Sequence, residues 1–456
     1  VIVYYGMSKN DFTKGRILGP LVRFVIPIFG AMLLQAMYGA VDLIVVGKFG
    51  VSADISAVAT GAQIMNSLTH IIVGLAMGTT VLIGQYIGAN KKDKAGDIIA
   101  SSIVLFAVVA VVLSVLVPVS AGLLADILNA PKEAYDKTVS YISICGSGLL
   151  FIVSYNLLGS IFRGIGDSKT PLISVCIAAV LNVFGDVFLV KNLGMGAGGA
   201  AIATIASQGI SVIICFFIIR KRGLPFHFGK DSFKNGIKEI IKEIVKLGIP
   251  IAFQSFMVNI SFLVIVSIVN SLGLTASAGI GTSEKVTSFI MLVPSAFSQG
   301  LSAFVAQNIG AENESRAAKA LLYGMLVSFA VDVLIFFFTF FKGVDLCMIF
   351  TNDIEIAKAG SQYLKAYSID VLLTTWMFCM VGYFNGCGET KFTMFQGILA
   401  AFLIRIPVSI VMNRITDGNL FCIGLATPSA TFVQIIMCVV FYFRRRKQFP
   451  ITDGSK

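Results

Sequence analysis

Charge is scarce in this chain. Asp, Glu, Lys and Arg make up 13% of its 456 residues, about half of the roughly 25% found in soluble domains, so a charged shell around a water-soluble core is excluded. Histidine occurs twice and tryptophan once. The cysteines (Cys145, Cys176, Cys215, Cys347, Cys379, Cys387, Cys422 and Cys438) lie in or beside apolar runs with no Cys-x-x-Cys pair. That pattern excludes a structural zinc site and leaves them as small packing residues. No Ser/His/Asp grouping or metal-ligand cluster supports an enzyme.

What is abundant is apolar surface: 56% of residues are hydrophobic and the mean hydropathy is +0.88. The charges gather in short clusters between apolar runs long enough to cross a bilayer. Twelve runs are expected as transmembrane helices: residues 18–42, 52–82, 97–120, 134–162, 170–190, 196–219, 246–270, 276–304, 317–341, 356–384, 392–412 and 420–443. The expected fold is an all-α integral membrane protein. The first run is too long for a cleavable leader, and Val1–Gly6, ahead of Met7, is set aside.

The net charge of +11 is explained by orientation. With both termini cytoplasmic, most Lys and Arg fall in inside loops: Lys91, Lys92 and Lys94; Arg163 and Lys169; Arg220-Lys-Arg222; Arg316 and Lys319; and Arg444-Arg-Arg-Lys447. No basic cluster sits on a folded domain with interleaved aromatics, so nucleic acid is not an expected partner. The lipid bilayer is.

The chain is also duplicated. Arg163-Gly-Ile-Gly-Asp-Ser-Lys169 returns 222 positions later as Asn385-Gly-Cys-Gly-Glu-Thr-Lys391. Pro27 aligns with Pro250, Gly50 with Gly273, Gln85-Tyr-Ile-Gly-Ala89 with Gln307-Asn-Ile-Gly-Ala311, and Ala95 with Ala317. The expected lobes are 1–222 (helices 1–6) and 246–456 (helices 7–12), joined by a basic, partly helical cytoplasmic linker at 223–245. Six spans per half is an even number, so a pseudo-two-fold along the membrane normal relates them, the plan of an alternating-access carrier. The paired glycines suit tight cytoplasmic hairpins, with the acid capping the next helix. Gly-Asp-Ser-Lys-Thr lacks the upstream glycine spacing of a phosphate-binding loop, which excludes an ATP-driven pump.

Ionisable residues inside apolar runs are costly and mark function. The first half has Asp42 on span 1 and Asp186 on span 5, with Asn182 on the same face as Asp186. Thr204 lies on span 6 after the Gly-rich entry Gly194–Gly199. Their second-half counterparts are Ile265 or Val264, Ile404 and Val408. The scaffold does not need the acids, so they point to chemistry: two close carboxylates can share a proton, and with Asn182 and Thr204 they offer hard oxygens for a sodium ion. In the second half, Glu284 and Lys285 near the start of span 8 are read as either an ion pair or cavity groups. Asp332 and Asp370 lie in or near spans 9 and 10, and Arg405 is expected to snorkel to the interface. Gln35, Gln63 and Gln254 are candidate polar cavity groups.

In combination, Val41-Asp-Leu-Ile-Val-Val-Gly47, Gly84-Gln-Tyr-Ile-Gly-Ala-Asn90, Arg163-Gly-Ile-Gly-Asp-Ser-Lys-Thr-Pro171 and Asn182-x-x-x-Asp186 resemble the multidrug and toxic compound extrusion (MATE) family over nearly the whole chain. The resemblance implies twelve helices in two lobes around a V-shaped cavity. It also implies antiport of organic cations against protons or sodium ions in a bacterial-type inner membrane, without a cofactor, by a monomer. Asp42, Asn182, Asp186 and Thr204 match the N-lobe cation or proton site of the DinF-like branch. The glutamate and aspartate of the NorM-like branch fall here on Val258 and Thr374. A lipid-linked oligosaccharide flippase of the same superfamily is the alternative.

Overall fold

A computed structural model describes residues 11–448 apart from 225, 227 and 235, without the side chains of Lys92 and Lys230; Val1–Gly6 lies outside this range. Apolar runs in a bilayer satisfy their backbone only internally, so they form helices. Those long enough to cross are α1 (Leu18–Phe49), α2 (Ser52–Gly88), α3 (Asp93–Val119), α4 (Lys132–Ser147 with Leu149–Ile165), α5 (Lys169–Asn192), α6 (Gly196–Arg222), α7 (Ile237–Asn270), α8 (Leu274–Gly310), α9 (Glu314–Phe341), α10 (Ile354–Gly386), α11 (Thr390–Ile415) and α12 (Leu420–Lys447). No strand occurs among the described residues. The fold is all-α and multi-pass, with eleven continuous spans and a twelfth, α4, bent by 48° beside Gly148.

The span ends differ from the sequence reading in informative ways. The first helix does not stop at residue 42 but continues to Phe49, which places Asp42 well inside it. The seventh starts at Ile237, within the segment expected as linker, because Ile240 and Ile244 turn one apolar face onto a core.

By contact, the chain forms two units. Of the described residues, unit 1 comprises Asp11 and Ile26–Ala252; unit 2 comprises Phe12–Val25 and the chain from Phe253 onward. The core of unit 1 is centred on α2, with Val58, Ile72 and Ile83 packed against Ile142, Leu149 and Ile161 of α4. That of unit 2 joins Ile280 and Val286 of α8 to Tyr363, Leu364 and Tyr367 of α10. The stretch Phe12–Val25 is held in unit 2: Phe12 is fully buried and stacked on Phe304, and Arg316 donates to the carbonyls of Phe12, Lys14 and Gly15 at 2.6, 2.8 and 2.6 Å.

The duplication is visible in the packing. Thr80 Oγ1 donates to the Ser160 carbonyl at 2.9 Å, and 222 positions on Ser302 Oγ donates to the Gly382 carbonyl at 3.1 Å. A Cβ on Gly164 would meet Ile83 at 2.9 Å; one on Gly386 would meet the Ser302 carbonyl at 2.7 Å. The first glycine of each hairpin thus lets two helices touch. The second turns the chain, with φ of 91° at Gly166 and 85° at Gly388. The hairpin acids diverge: Asp167 caps α5 through the Lys169 and Thr170 amides at 2.9 and 3.1 Å, whereas Glu389 turns to Arg445 at 3.8 Å.

Candidate ion-binding site

Asn182 and Asp186 lie one helical turn apart on α5, both fully buried. Beside them Gly185 carries no side chain, and a Cβ there would meet that of Ala203 at 3.1 Å. The glycine and the small residues Ala200, Ala201 and Ala203 let α6 approach closely, which brings Thr204 into the group. Asp42 joins from α1, where Tyr38 one turn earlier donates to the Val175 carbonyl of α5 at 3.0 Å and fixes the two helices.

The four residues expected together are together. Thr204 Oγ1 donates to Asp42 Oδ2 at 2.9 Å, and Asn182 Nδ2 lies 3.5 Å from Asp42 Oδ1 and 3.4 Å from Thr204 Oγ1. The Asp186 carboxyl lies within electrostatic reach of Asp42, and two buried acids so close are stabilised by a proton or a cation. Both Asp186 oxygens and Asn182 Oδ1 are buried without a donor. Among the described residues, neither acid has an ion-pair partner. Directly after Asp186 the α-helix widens into a π-helical turn, Val187–Asn192, a distortion common at functional sites.

Tyr141 and Cys145 of α4, not singled out in the sequence, also belong to this group. Both are buried within electrostatic reach of Asp42. The Tyr141 ring occupies the space left by Gly61 of α2, where a Cβ would stand 2.2 Å from a ring carbon. A signal existed: Tyr141 has Tyr363 as its counterpart 222 positions on.

The unit 2 candidates behave differently. Glu284 and Lys285 are both exposed and form no ion pair among the described residues; Lys285 Nζ lies 5.7 Å from the Phe350 ring centre. Adjacent positions on a helix point about 100° apart, which defeats the pairing. Arg405 does not snorkel. It is 4% exposed, with its guanidinium over the Phe262 ring at 4.3 Å and Nη1 bonded to Ser261 Oγ at 2.9 Å. Since α11 continues ten residues beyond it, the side chain cannot reach the helix end. Asp332 is buried and bonded by Thr375 and Ser328, and Asp370 by Thr374. Gln35 is half-buried, Gln63 exposed, and Gln254 packs into the notch at Gly397; none of them bonds to the Asp42 group.

A duplicated set of membrane-spanning helices with ionisable groups buried among them defines a polytopic membrane transporter. Comparison with known proteins agrees, and does so once per half: the MatE family model matches residues 27–188 and again 250–411, and the chain belongs to this family of transporters. It is 26% identical over 408 residues to the probable multidrug resistance protein YpnP of Bacillus subtilis, covering 89% of this chain and 91% of that protein. It is 25% identical to the multidrug export protein MepA of Staphylococcus saprophyticus (95% and 96% covered) and 26% to the probable multidrug resistance protein NorM of Thermotoga maritima (90% and 89%). Among solved structures, an outward-facing multidrug resistance MATE family transporter of the MOP superfamily superposes with a TM-score of 0.90 at 20% identity, covering 98% of this chain and 100% of that one.

Proposed function

We propose that the chain exports lipophilic organic cations by antiport against protons or sodium ions, with alternating access between its two lobes. The observation that carries this reading is the buried Asp42–Asp186 pair, with unpartnered oxygens and no basic partner, present in one half of a duplicated scaffold. Such a group is stable only when a cation or proton occupies it or when water reaches it. Asp42 and Asp186 would carry the ion, while Asn182 and Thr204 orient Asp42 and add oxygens. Ion and substrate need only favour different states for their fluxes to couple.

The same four residues favour the DinF-like branch. The proposed setting is a bacterial-type inner membrane, with both termini cytoplasmic and the protein a monomer. The flippase alternative calls for a cationic cavity, whereas Arg405 is committed to Ser261 and Phe262.

The test is ethidium efflux from vesicles carrying the full chain, with sodium and proton gradients imposed separately, beside Asp186→Asn. Gradient-driven efflux that the variant loses is expected, and the effective gradient names the ion. Efflux unchanged in the variant, or absent from the wild type under both gradients, would overturn the reading.

A further inference from the structure

The halves match in their hairpins and in a π-helical turn on the fifth helix of each, Val187–Asn192 on α5 and Ala401–Arg405 on α11, yet they differ on α9. Helix α9 packs on α10 and on residues 292–310 of α8. Its seam with α10 is closed at one point by Phe329 against Trp376, with ring centres 5.8 Å apart, and further along by Ser368 Oγ donating to Thr339 Oγ1 at 2.8 Å. Between these contacts lies Asp332, fully buried. Thr375 Oγ1 of α10 bonds to its Oδ2, and Ser328 Oγ, one turn earlier on α9, lies 3.5 Å from the same oxygen; Oδ1 is buried without a partner. Among the described residues no basic side chain pairs with Asp332.

The centre occurs in one half only. The unit 1 counterparts of Ser328, Asp332, Thr375 and Cys379 are Phe106, Ala110, Val153 and Leu157, all buried. The shared fold thus packs this seam with apolar side chains and does not require the acid.

The hydrogens decide what the carboxyl holds. Thr375 Oγ1 has one hydrogen and two acceptors in reach, Asp332 Oδ2 and the Val371 carbonyl one turn back at 3.2 Å. A carboxylate at 332 would draw that hydrogen and still leave a buried charge with no cation and one bare oxygen, a costly arrangement. A protonated carboxyl instead donates from Oδ2 to Thr375 Oγ1, and Thr375 donates to the Val371 carbonyl. Oδ1 is then the carbonyl oxygen of a neutral acid, the less costly group to leave bare. Sodium fits less well, because a hard cation needs a shell of oxygens and here both hydroxyls meet the carboxyl at a single one.

The helices packed on α9 bring few titratable groups to this point. Cys379 lies one turn beyond Thr375 on the same face of α10 and is fully buried, while Asp370, five positions before Thr375, points about 140° away. Lys365 is exposed, 5.9 Å from the Phe340 ring centre. Residues 292–310 of α8 carry no titratable side chain. On the short helix Gly343–Met348, Asp345 is taken by Lys342 at 3.3 Å.

We propose that Asp332 is a proton-binding site of unit 2, additional to the Asp42–Asp186 group, which takes up one proton per chain at the Thr375 hydroxyl and releases it without unfolding. The site adds to the antiport reading and does not depend on it.

Purified full-length protein is compared with its Asp332→Asn variant. Infrared absorption counts un-ionised carboxyls at neutral pH and follows them on alkaline titration in sodium-free buffer; retained radioactive sodium is measured beside it. Asp332→Asn should remove one un-ionised carboxyl per chain and leave retained sodium unchanged. In the wild type that carboxyl should ionise reversibly while the protein still melts cooperatively. An unchanged carboxyl count, a carboxyl that alkali does not ionise, or a loss of sodium would each overturn the proposal. Asparagine has the shape of the protonated acid, with Nδ2 donating where the acid proton would, so the variant should fold. If it does not, Asp332→Ala, which installs the unit 1 residue, is measured in its place with the same loss expected; failure of both variants to fold overturns the proposal. Failure of the antiport reading is seen separately, as a wild type without gradient-driven efflux.

Discussion

Units 1 and 2 share hairpins, bond positions and π-turned helices, yet they bury different chemistry. The helix-to-helix bonds Thr80–Ser160 and Ser302–Gly382 keep the 222-residue offset. Elsewhere, Asp42 and Asp186 of unit 1 correspond in sequence to aliphatic residues of unit 2, and Arg405 and Asp370 of unit 2 to Val183 and Gly148 of unit 1. Packing fixes the first set, because a displaced glycine or hydroxyl would separate two helices. The interior polar groups are free of that constraint, and the asymmetry between halves separates them from what the shared fold requires.

The comparison can be tested from its largest effect downward. Asp42→Asn should reduce ion-driven ethidium efflux to background, while Asp370→Asn should leave efflux gradient-driven; equal losses from both would break the contrast. Next comes an exchange between units: Gly61→Ser places the residue of unit 2 against the Tyr141 ring and should destabilise by ~1–3 kcal/mol through overpacking, read as a lower melting temperature of the purified protein. The reverse exchange, Ser283→Gly, removes the 2.6 Å bond to the Gly360 carbonyl and should cost about 0.5–1.5 kcal/mol for the bond. The hairpin acids should differ least. Asp167→Ala loses a cap worth about 1 kcal/mol, and Glu389→Ala loses a half-exposed, long ion pair worth ~0.2–1 kcal/mol; thermal melts in the same detergent rank the two.

Much of this was legible in the sequence, because membrane helices and a duplication are both written in one dimension. The twelve spans follow from run length, and the Asp42, Asn182, Asp186 and Thr204 group from acids in apolar runs with aliphatic counterparts. Three features escaped. Arg405 looked peripheral because its apolar run ends near residue 412, whereas the helix itself continues to Ile415 and the side chain turns inward. Tyr141 is an ordinary aromatic in sequence; its place beside the acids depends on the hole at Gly61. Glu284 and Lys285 are adjacent in sequence, and only helical geometry shows that adjacency keeps them from pairing.

The burial of Arg405 also has a consequence for how the chain is made. An arginine at the middle of an inserting helix costs ~2.5–3.5 kcal/mol, and α11 emerges from the ribosome late. By then Ser261 and Phe262 on α7 have been synthesised, so the arginine follows its partners in the chain. This costly side chain is synthesised after the groups that receive it, an order that shortens any interval with its charge facing lipid alone.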